Sequence, residues 1–403
     1  MTRLTRNSLF KLANITLISF VLSACGSDIT QAQSKRPQPP IDETKLSQQV
    51  GTGQDGTLKQ HLENIRQAYN VPAITAMTIK NGLVYEIAST GYRDIKSQIL
   101  VSDNDRWEIG SVAKSMTAVL AARLVEQGLI TFDSTIIEVL PELKGQIRKE
   151  HESVTLKHLL SMTSGLKKDI DIKHERWFDT SKTMQTLRSM LAKEVLNTEA
   201  VQTRGLFKYS NVGYVIAGHM LERVSNKTWE QLINDELFAQ LGIINYGFGE
   251  PTIELSDQPK GHIYRDGEWQ AITAGTENIS QVYGPAGTIN ISLPDLAVYF
   301  STVLEGMRGG GNIISRESYK MLLSPYSRTD DLQAGYAMGW YVKLDKTAFG
   351  HTGATETFSA SSYLHPSENS AYFIAVNGDT DNAPKAIFEA VKLLTSRNVT
   401  TQI

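Results

Sequence analysis

Apolar residues recur at helical spacing over residues 58–69, and then the period changes. Residues 74–79 and 83–88 read as two strands joined at Asn81-Gly82, a pair suited to the positive φ angles of a two-residue hairpin turn. From Ser111 to about Gly310 the periodicity is mostly helical. It includes residues 112–127, ended by Gly128, residues 214–224, and a helix opening near Ser292 with Asp295 in its first turn. Beyond that, residues 336–344, 356–363 and 371–376 alternate or cluster as strands, and residues 383–394 make a closing helix. Strands at both ends with helices between them predict an α/β (α+β) fold. One antiparallel sheet is assembled from both chain ends and flanked by terminal helices, and a mostly helical domain is inserted into it. The sheet subdomain is assigned to residues 57–110 and 335–396, and the helical one to 111–334.

The first 56 residues follow a different pattern. Arg3, Arg6 and Lys11, with no acid among them, precede an apolar stretch over residues 12–22 that Asn14 interrupts. That run is about half the length a membrane span needs. Residues 1–24 therefore read as an export signal and not as a permanent helical anchor. Cys25 is the single cysteine of the chain, so no internal disulfide can form. The stretch Leu22-Ser23-Ala24-Cys25 resembles the lipobox of bacterial lipoproteins. That resemblance implies lipidation of Cys25, export to the periplasmic face of the envelope, and, with Gly26 next, an outer-membrane address. The other reading of Cys25 is an incidental free thiol. Residues 25–56 are rich in Gln, Ser, Thr, Gly and Pro and read as a flexible tether. Some thirty flexible residues reach about 30 Å.

Composition narrows the function classes. The 403 residues are 41% hydrophobic and 21% charged, which suits a globular enzyme-sized body. Forty Lys and Arg against 43 Asp and Glu leave no basic excess for a nucleic acid. The eight histidines are scattered without an HExxH or a close pair, so neither a metal nor an organic cofactor is expected. A small-molecule substrate is the expected partner.

Three short stretches carry candidate chemistry. In Glu108-Ile-Gly-Ser111-Val-Ala-Lys114, the serine opens a helix and the lysine follows one turn later on the same face. A serine is a weak nucleophile until a partner takes its proton. A helix N-terminus and burial both disfavour the charged ammonium, which makes Lys114 a better base. In Phe207-Lys-Tyr209-Ser-Asn211, Tyr209 could shuttle protons beside a cationic lysine, and Asn211 could orient Lys114 and substrate. The other reading is an aromatic turn packed on a helix start with Asn211 as its cap. In Gly350-His351-Thr352-Gly353-Ala354, glycines permit close approach of substrate to a strand edge. The backbone N–H groups of Ser111 and Ala354 are candidate donors to an oxyanion.

Taken in order, these stretches resemble those of the serine beta-lactamase and penicillin-binding protein superfamily, in its class C-like branch. Residues 155–165 and Gly284-Pro-Ala-Gly287 look like further signatures, and the likeness spans about residues 57–396. It implies a beta-lactamase/transpeptidase-like fold, acylation of Ser111, proton transfer by Lys114 and Tyr209, and substrate contact by Asn211, His351, Thr352 and Gly353. It also implies a hydrolase of ester or amide carbonyls, either a cell-envelope esterase or a beta-lactamase-like enzyme. The alternatives are a beta-lactamase or D-alanyl-D-alanine carboxypeptidase/D-aminopeptidase, and a non-catalytic peptidoglycan-binding or regulatory module. The third stretch has His351 where the family often has a lysine. Histidine is mostly neutral at pH 7, which weakens the case for a carboxylate-bearing substrate. Trp177, Phe178, Tyr246, Phe248, Trp269 and Tyr283 fall in the expected pocket walls, as cleft lining or as simple packing.

Overall fold

The computed structural model describes residues 38–46, 49–276, 279–311, 313–329, 333–378 and 380–398. The expected signal peptide, Cys25 and the start of the tether lie outside the described residues.

Six long helices frame the sheet and the site: α1 (Leu58–Ala68), α2 (Lys114–Glu126), α3 (Met184–Leu196), α4 (Asn211–Ser225), α5 (Leu293–Met307) and α6 (Asn382–Arg397). The strands run in chain order as β1 (Ala73–Lys80), β2 (Leu83–Asp94), β3 (Ile99–Leu100), β4 (Arg106–Glu108), β5 (Tyr246–Phe248), β6 (His262–Arg265) and β7 (Glu268–Ala271). They continue as β8 (Ile289–Ser292), β9 (Ser327–Arg328), β10 (Ala334–Tyr336), β11 (Tyr341–Lys343), β12 (Phe349–Ala354), β13 (Ser359–His365) and β14 (Ser370–Val376).

The hairpin between β1 and β2 forms where expected, with Asn81 and Gly82 both at positive φ, 55° and 78°. Its partner comes from the far end of the chain: β1 pairs antiparallel with β14 from Ile74↔Val376 to Lys80↔Ser370. The main sheet has the order β3-β2-β1-β14-β13-β12-β11-β10-β9. Strands β13 and β14 are buried along their whole length, as β1 nearly is, because helices cover both faces. Helices α1 and α6 pack together and on the central strands, and α5 packs on β1, β2, β13 and β14. In α1 the buried residues Leu58, Leu62 and Ile65 form the stripe that fixes this docking.

The region between the sheet halves is mainly helical, as expected, but it also holds two small sheets, β4-β8-β5 and β6-β7. Their strands of three or four residues are too short for a pattern of period two to stand out.

The tether ends earlier than its composition suggests. Asn382 Nδ2 donates to Pro39 O at 2.8 Å, and the backbone N–H of Asp42 donates to Ala68 O. The fully buried Arg397 side chain reaches Asp55 at 2.8 Å, Glu86 at 3.0 Å and the carbonyl of Val50 at 2.6 Å. This stretch buries little apolar surface but supplies the Val50 carbonyl, the Asp55 carboxylate and the Thr57 hydroxyl, which one buried arginine gathers.

Candidate active site

Ser111 does not lie in the first turn of an α-helix. It sits in a 3-10 turn, Gly110–Ala113, and Lys114 is the first residue of α2. With three residues per turn, positions i and i+3 eclipse, and the lysine Cα–Cβ bond tilts back toward the helix N-terminus. Lys114 Nζ accordingly donates to Ser111 Oγ at 2.8 Å. It also donates to Asn211 Oδ1 at 2.7 Å and to the carbonyl of Ala286 at 2.6 Å, and the whole residue is buried. Of these three acceptors, only the serine oxygen carries a proton. A neutral Lys114 that keeps its bonds to Asn211 and Ala286 can turn its lone pair only toward Ser111 among them.

Each partner is held by its own local structure. Asn211 begins α4, but the cap is Ser210, whose hydroxyl accepts from Gly213 N at 3.0 Å. That leaves the Asn211 amide to point at Lys114 on one side and, through Nδ2, at Asp169 Oδ2 at 3.1 Å on the other. The reading of Asn211 as a helix cap is thus displaced by one residue. Ala286 belongs to the short turn Gly284–Gly287, pinned to α2 a second time by Thr117 Oγ1 donating to Pro285 O at 2.8 Å.

Tyr209 lies beside the same ammonium, its ring centroid 5.2 Å from Lys114 Nζ. The two distances place that centroid within about 8 Å of Ser111 Oγ. The ring of Tyr214 stands 5.5 Å from the same nitrogen.

Strand β12 passes the serine turn at backbone contact. A Cβ on Gly353 would stand 2.0 Å from Ile109 O and 3.1 Å from Ser111 N, and one on Gly110 would stand 2.5 Å from Ala354 N. Only residues without a side chain permit this passage, which brings the Ser111 and Ala354 peptides together. β12 pairs with β13 along its length but with β11 only at Phe349 and Gly350. Among the described residues, the edge from His351 to Ala354 therefore has no strand beside it on the β11 side.

His351 is placed differently from the expectation of a substrate-contacting donor. It is fully buried among Tyr209, Tyr336 and Tyr341, with ring centroids 6.1, 6.0 and 5.1 Å away. Its Nδ1 lies 2.6 Å from Thr352 O, an acceptor only, so Nδ1 carries the proton and Nε2 accepts from Tyr336 OH at 3.1 Å. Burial and then the Lys114 charge push its pKa down to about 3, so the ring is neutral at physiological pH. Both nitrogens are engaged inside the protein. Thr352 is half-buried on the alternate side of the strand, with its carbonyl taken by His351.

The structure thus gathers Ser111, Lys114, Tyr209, Asn211, Gly353 and Ala354 at one place, with His351 packed beneath. Sequence reasoning missed Ala286, Asp169 and Tyr336. The Gly284–Gly287 signature pointed at the first without giving it a role. The supposed aromatic walls are mostly packing. Trp177 and Tyr283 are buried, Tyr246 and Phe248 pack against Phe238 and Trp229, and Trp269 packs against Tyr264. Only Phe178 is well exposed. Among the described residues no cluster of His, Cys, Asp or Glu is arranged to hold a metal, and no helix is long and apolar enough to cross a membrane.

The chain is similar to several known proteins. "Protein flp" of Staphylococcus aureus (strain MW2) is 22% identical over 326 residues, 81% of this chain, and the chain spans 64% of that protein's length. "Putative penicillin-binding protein PbpX" of Bacillus subtilis (strain 168) is 25% identical over 66% of this chain and 61% of its own. A penicillin-binding protein homologue from Pyrococcus abyssi superposes with a TM-score of 0.71 at 22% identity, over 86% of this chain and 78% of that one. A class C beta lactamase from Rhodobacter sphaeroides superposes with 0.67 at 17% identity, over 85% and 99%. The family profile described as beta-lactamase matches residues 58–394, the stretch that begins with α1 and ends within α6, and the chain belongs to that family.

Proposed function

We propose that the protein is a serine hydrolase that cleaves an ester or amide carbonyl through an acyl-enzyme on Ser111. The observation that carries this reading is the buried Lys114 side-chain nitrogen, 2.8 Å from Ser111 Oγ and fixed by Asn211 and Ala286 O. In the first step the neutral amine form of Lys114 takes the Ser111 proton, Oγ attacks the carbonyl carbon, and the tetrahedral oxyanion takes N–H bonds from Ser111 and Ala354, while the proton gained by Lys114 replaces the one Tyr209 gives up. Tyr209 returns the proton to the leaving group as its bond to the carbonyl carbon breaks. Water then repeats the cycle against the acyl-serine, with the same groups taking and returning its proton.

The buried, neutral His351 brings no positive charge to the strand edge, which favours esters or amides whose leaving group lacks a carboxylate. An esterase of the cell envelope is the reading taken. A beta-lactamase or D-alanyl peptidase reading draws on relatives at the level of family and fold. Side-by-side turnover of a short-chain aryl ester, a chromogenic cephalosporin and a D-alanyl dipeptide tests this. Ester hydrolysis lost in Ser111→Ala and weak lactam turnover are expected, whereas unchanged turnover in Ser111→Ala defeats the assignment. We further infer export and lipid anchoring at Cys25 from the pattern of residues 1–25. Loss of radiolabelled fatty-acid incorporation in Cys25→Ser is the expected result, and equal incorporation refutes it.

A further inference from the structure

The site described above opens between two walls. One is the loop that follows residue 165, tied to α4 because Asn211 N donates to Lys168 O at 2.9 Å and Asn211 Nδ2 donates to Asp169. The other is β12 with the turn that leads into β13, seated against Gly261 and closed by Thr355 N donating to Phe358 O. An ion pair joins the two walls: Lys173 Nζ to Glu356 Oε2 at 2.8 Å. Lys173 follows Asp169 by four residues, and Glu356 follows the oxyanion-donor candidate Ala354 by two. The pair therefore crosses one end of the cleft.

Resting on the hydrolase reading, the direction of a bound substrate along β12 follows from where its leaving group is protonated. Tyr209 lies at the His351 end, so the leaving group departs there and the acyl chain runs the other way, past Ala354 toward Glu356. Two residues separate Ala354 at the end of β12 from Glu356 in the turn, which leaves at most about 7 Å before the chain meets the bridge. We propose that Lys173 and Glu356 are a specificity-determining pair that closes the acyl end of the cleft and selects esters of short acyl groups. Both side chains are partly exposed, so the bridge is weak, and it opens for longer chains at a modest penalty. A bridge of this kind shifts the preference between long and short acyl chains by about two- to fivefold.

Charge reversal tests the pair without deleting volume. The assay is kcat/KM for 4-nitrophenyl butyrate and decanoate with the wild type, Lys173→Glu, Glu356→Lys and the double reversal, each checked for an unchanged melting temperature. Each single reversal places like charges across the cleft and raises the decanoate-to-butyrate ratio by about two- to fivefold, and the double reversal restores the wild-type ratio. Raising the salt to 1 M moves the wild-type ratio in the same direction as a single reversal, because the pair is exposed to screening. A ratio unchanged by the single reversals, or changed by them and not restored in the double variant, overturns the proposal while Ser111-dependent turnover persists. Absence of any turnover that Ser111→Ala abolishes removes the hydrolase reading, and the specificity pair falls with it.

Discussion

Replacing Arg188 by Met should loosen the Gly284–Gly287 turn and the helical region together. The guanidinium on α3 is completely buried and is paired with Glu222 of α4, also buried, and with Glu230, both at 2.5 Å. It also donates to the carbonyls of Val282 and Gln281 at 3.1 and 2.8 Å, just before the turn that presents Ala286 O to Lys114. Removing one partner of a buried ion pair costs about 3–5 kcal/mol, because the other charge stays desolvated. For a folded body the size of the family match, residues 58–394, the unfolding entropy is about 0.7 kcal/mol/K, so the melting temperature drops by about 4–7 °C. The pH dependence identifies the cause. Burial raises the Glu222 pKa, but the His219 hydrogen bond, the Arg188 charge and the Trp229 N–H outweigh it and hold the carboxyl below its ordinary value. Without Arg188 burial gains weight and the carboxyl titrates higher, so protonation relieves part of the loss. The deficit is therefore larger at pH 7.5 than at pH 5. Thermal unfolding followed by near-ultraviolet circular dichroism at both pH values measures it. Equal melting temperatures at pH 7.5, or a deficit that grows on acidification, would refute the reasoning. At 25 °C, where the variant is folded, kcat falls about tenfold or more if Ala286 shifts away from Lys114.

Other outcomes follow from single contacts. Tyr209→Phe keeps the ring beside Lys114 but removes the transferable proton, so kcat for an aryl ester drops by about 10²–10⁴ with KM little changed; a KM effect alone contradicts the assigned role. Gly353→Val drives a side chain into Ile109 O, separates β12 from the serine turn, and abolishes turnover; a variant with normal kcat shows that the close approach is dispensable. Burial holds His351 near pKa 3 and His262 near 4, whereas both titrate near 6.5 when unfolded. The unfolded chain then binds the extra protons. Stability is full above pH 6.5 and falls as the pH drops toward 4, by up to about 1.4 kcal/mol per pH unit for each histidine. Melting curves between pH 4.5 and 7.5 should show that slope, and His262→Asn should flatten it; an unchanged slope assigns the acid sensitivity elsewhere.

The sheet and the contact between Ser111 and Lys114 were legible in the sequence because both rest on short-range regularities. Asn81-Gly82 announces its hairpin by turn chemistry, and the spacing of Ser111 and Lys114 fixes their contact whether the turn is α or 3-10. The presence of strands at both ends allowed one sheet, and β1 pairs with β14 accordingly. What stayed hidden depends on long-range approach. The carbonyl of Ala286 is a backbone atom 172 residues from the lysine it holds, and no side chain marks it. His351 suggested a substrate donor by its position in a motif, while its burial among three tyrosines comes from β10, β11 and the Tyr209 turn. The docked stretch from Gln38 onward is polar and looked like tether, yet Arg397 and Asn382, more than 300 residues away, supply its partners. β12 falls outside the strand patterns of residues 336–344 and 356–363 because two glycines and a histidine lack strand character, although they are the residues that let the serine turn lie against it.

The account stands or falls on whether Ser111 becomes acylated with Lys114 as the group that activates it. Peptide mass spectrometry after exposure to a fluorophosphonate probe measures this directly. One adduct is expected, on the peptide containing Ser111, absent in Ser111→Ala and formed far more slowly in Lys114→Met. An adduct on another residue, or labelling of Ser111 at an undiminished rate without Lys114, would contradict it.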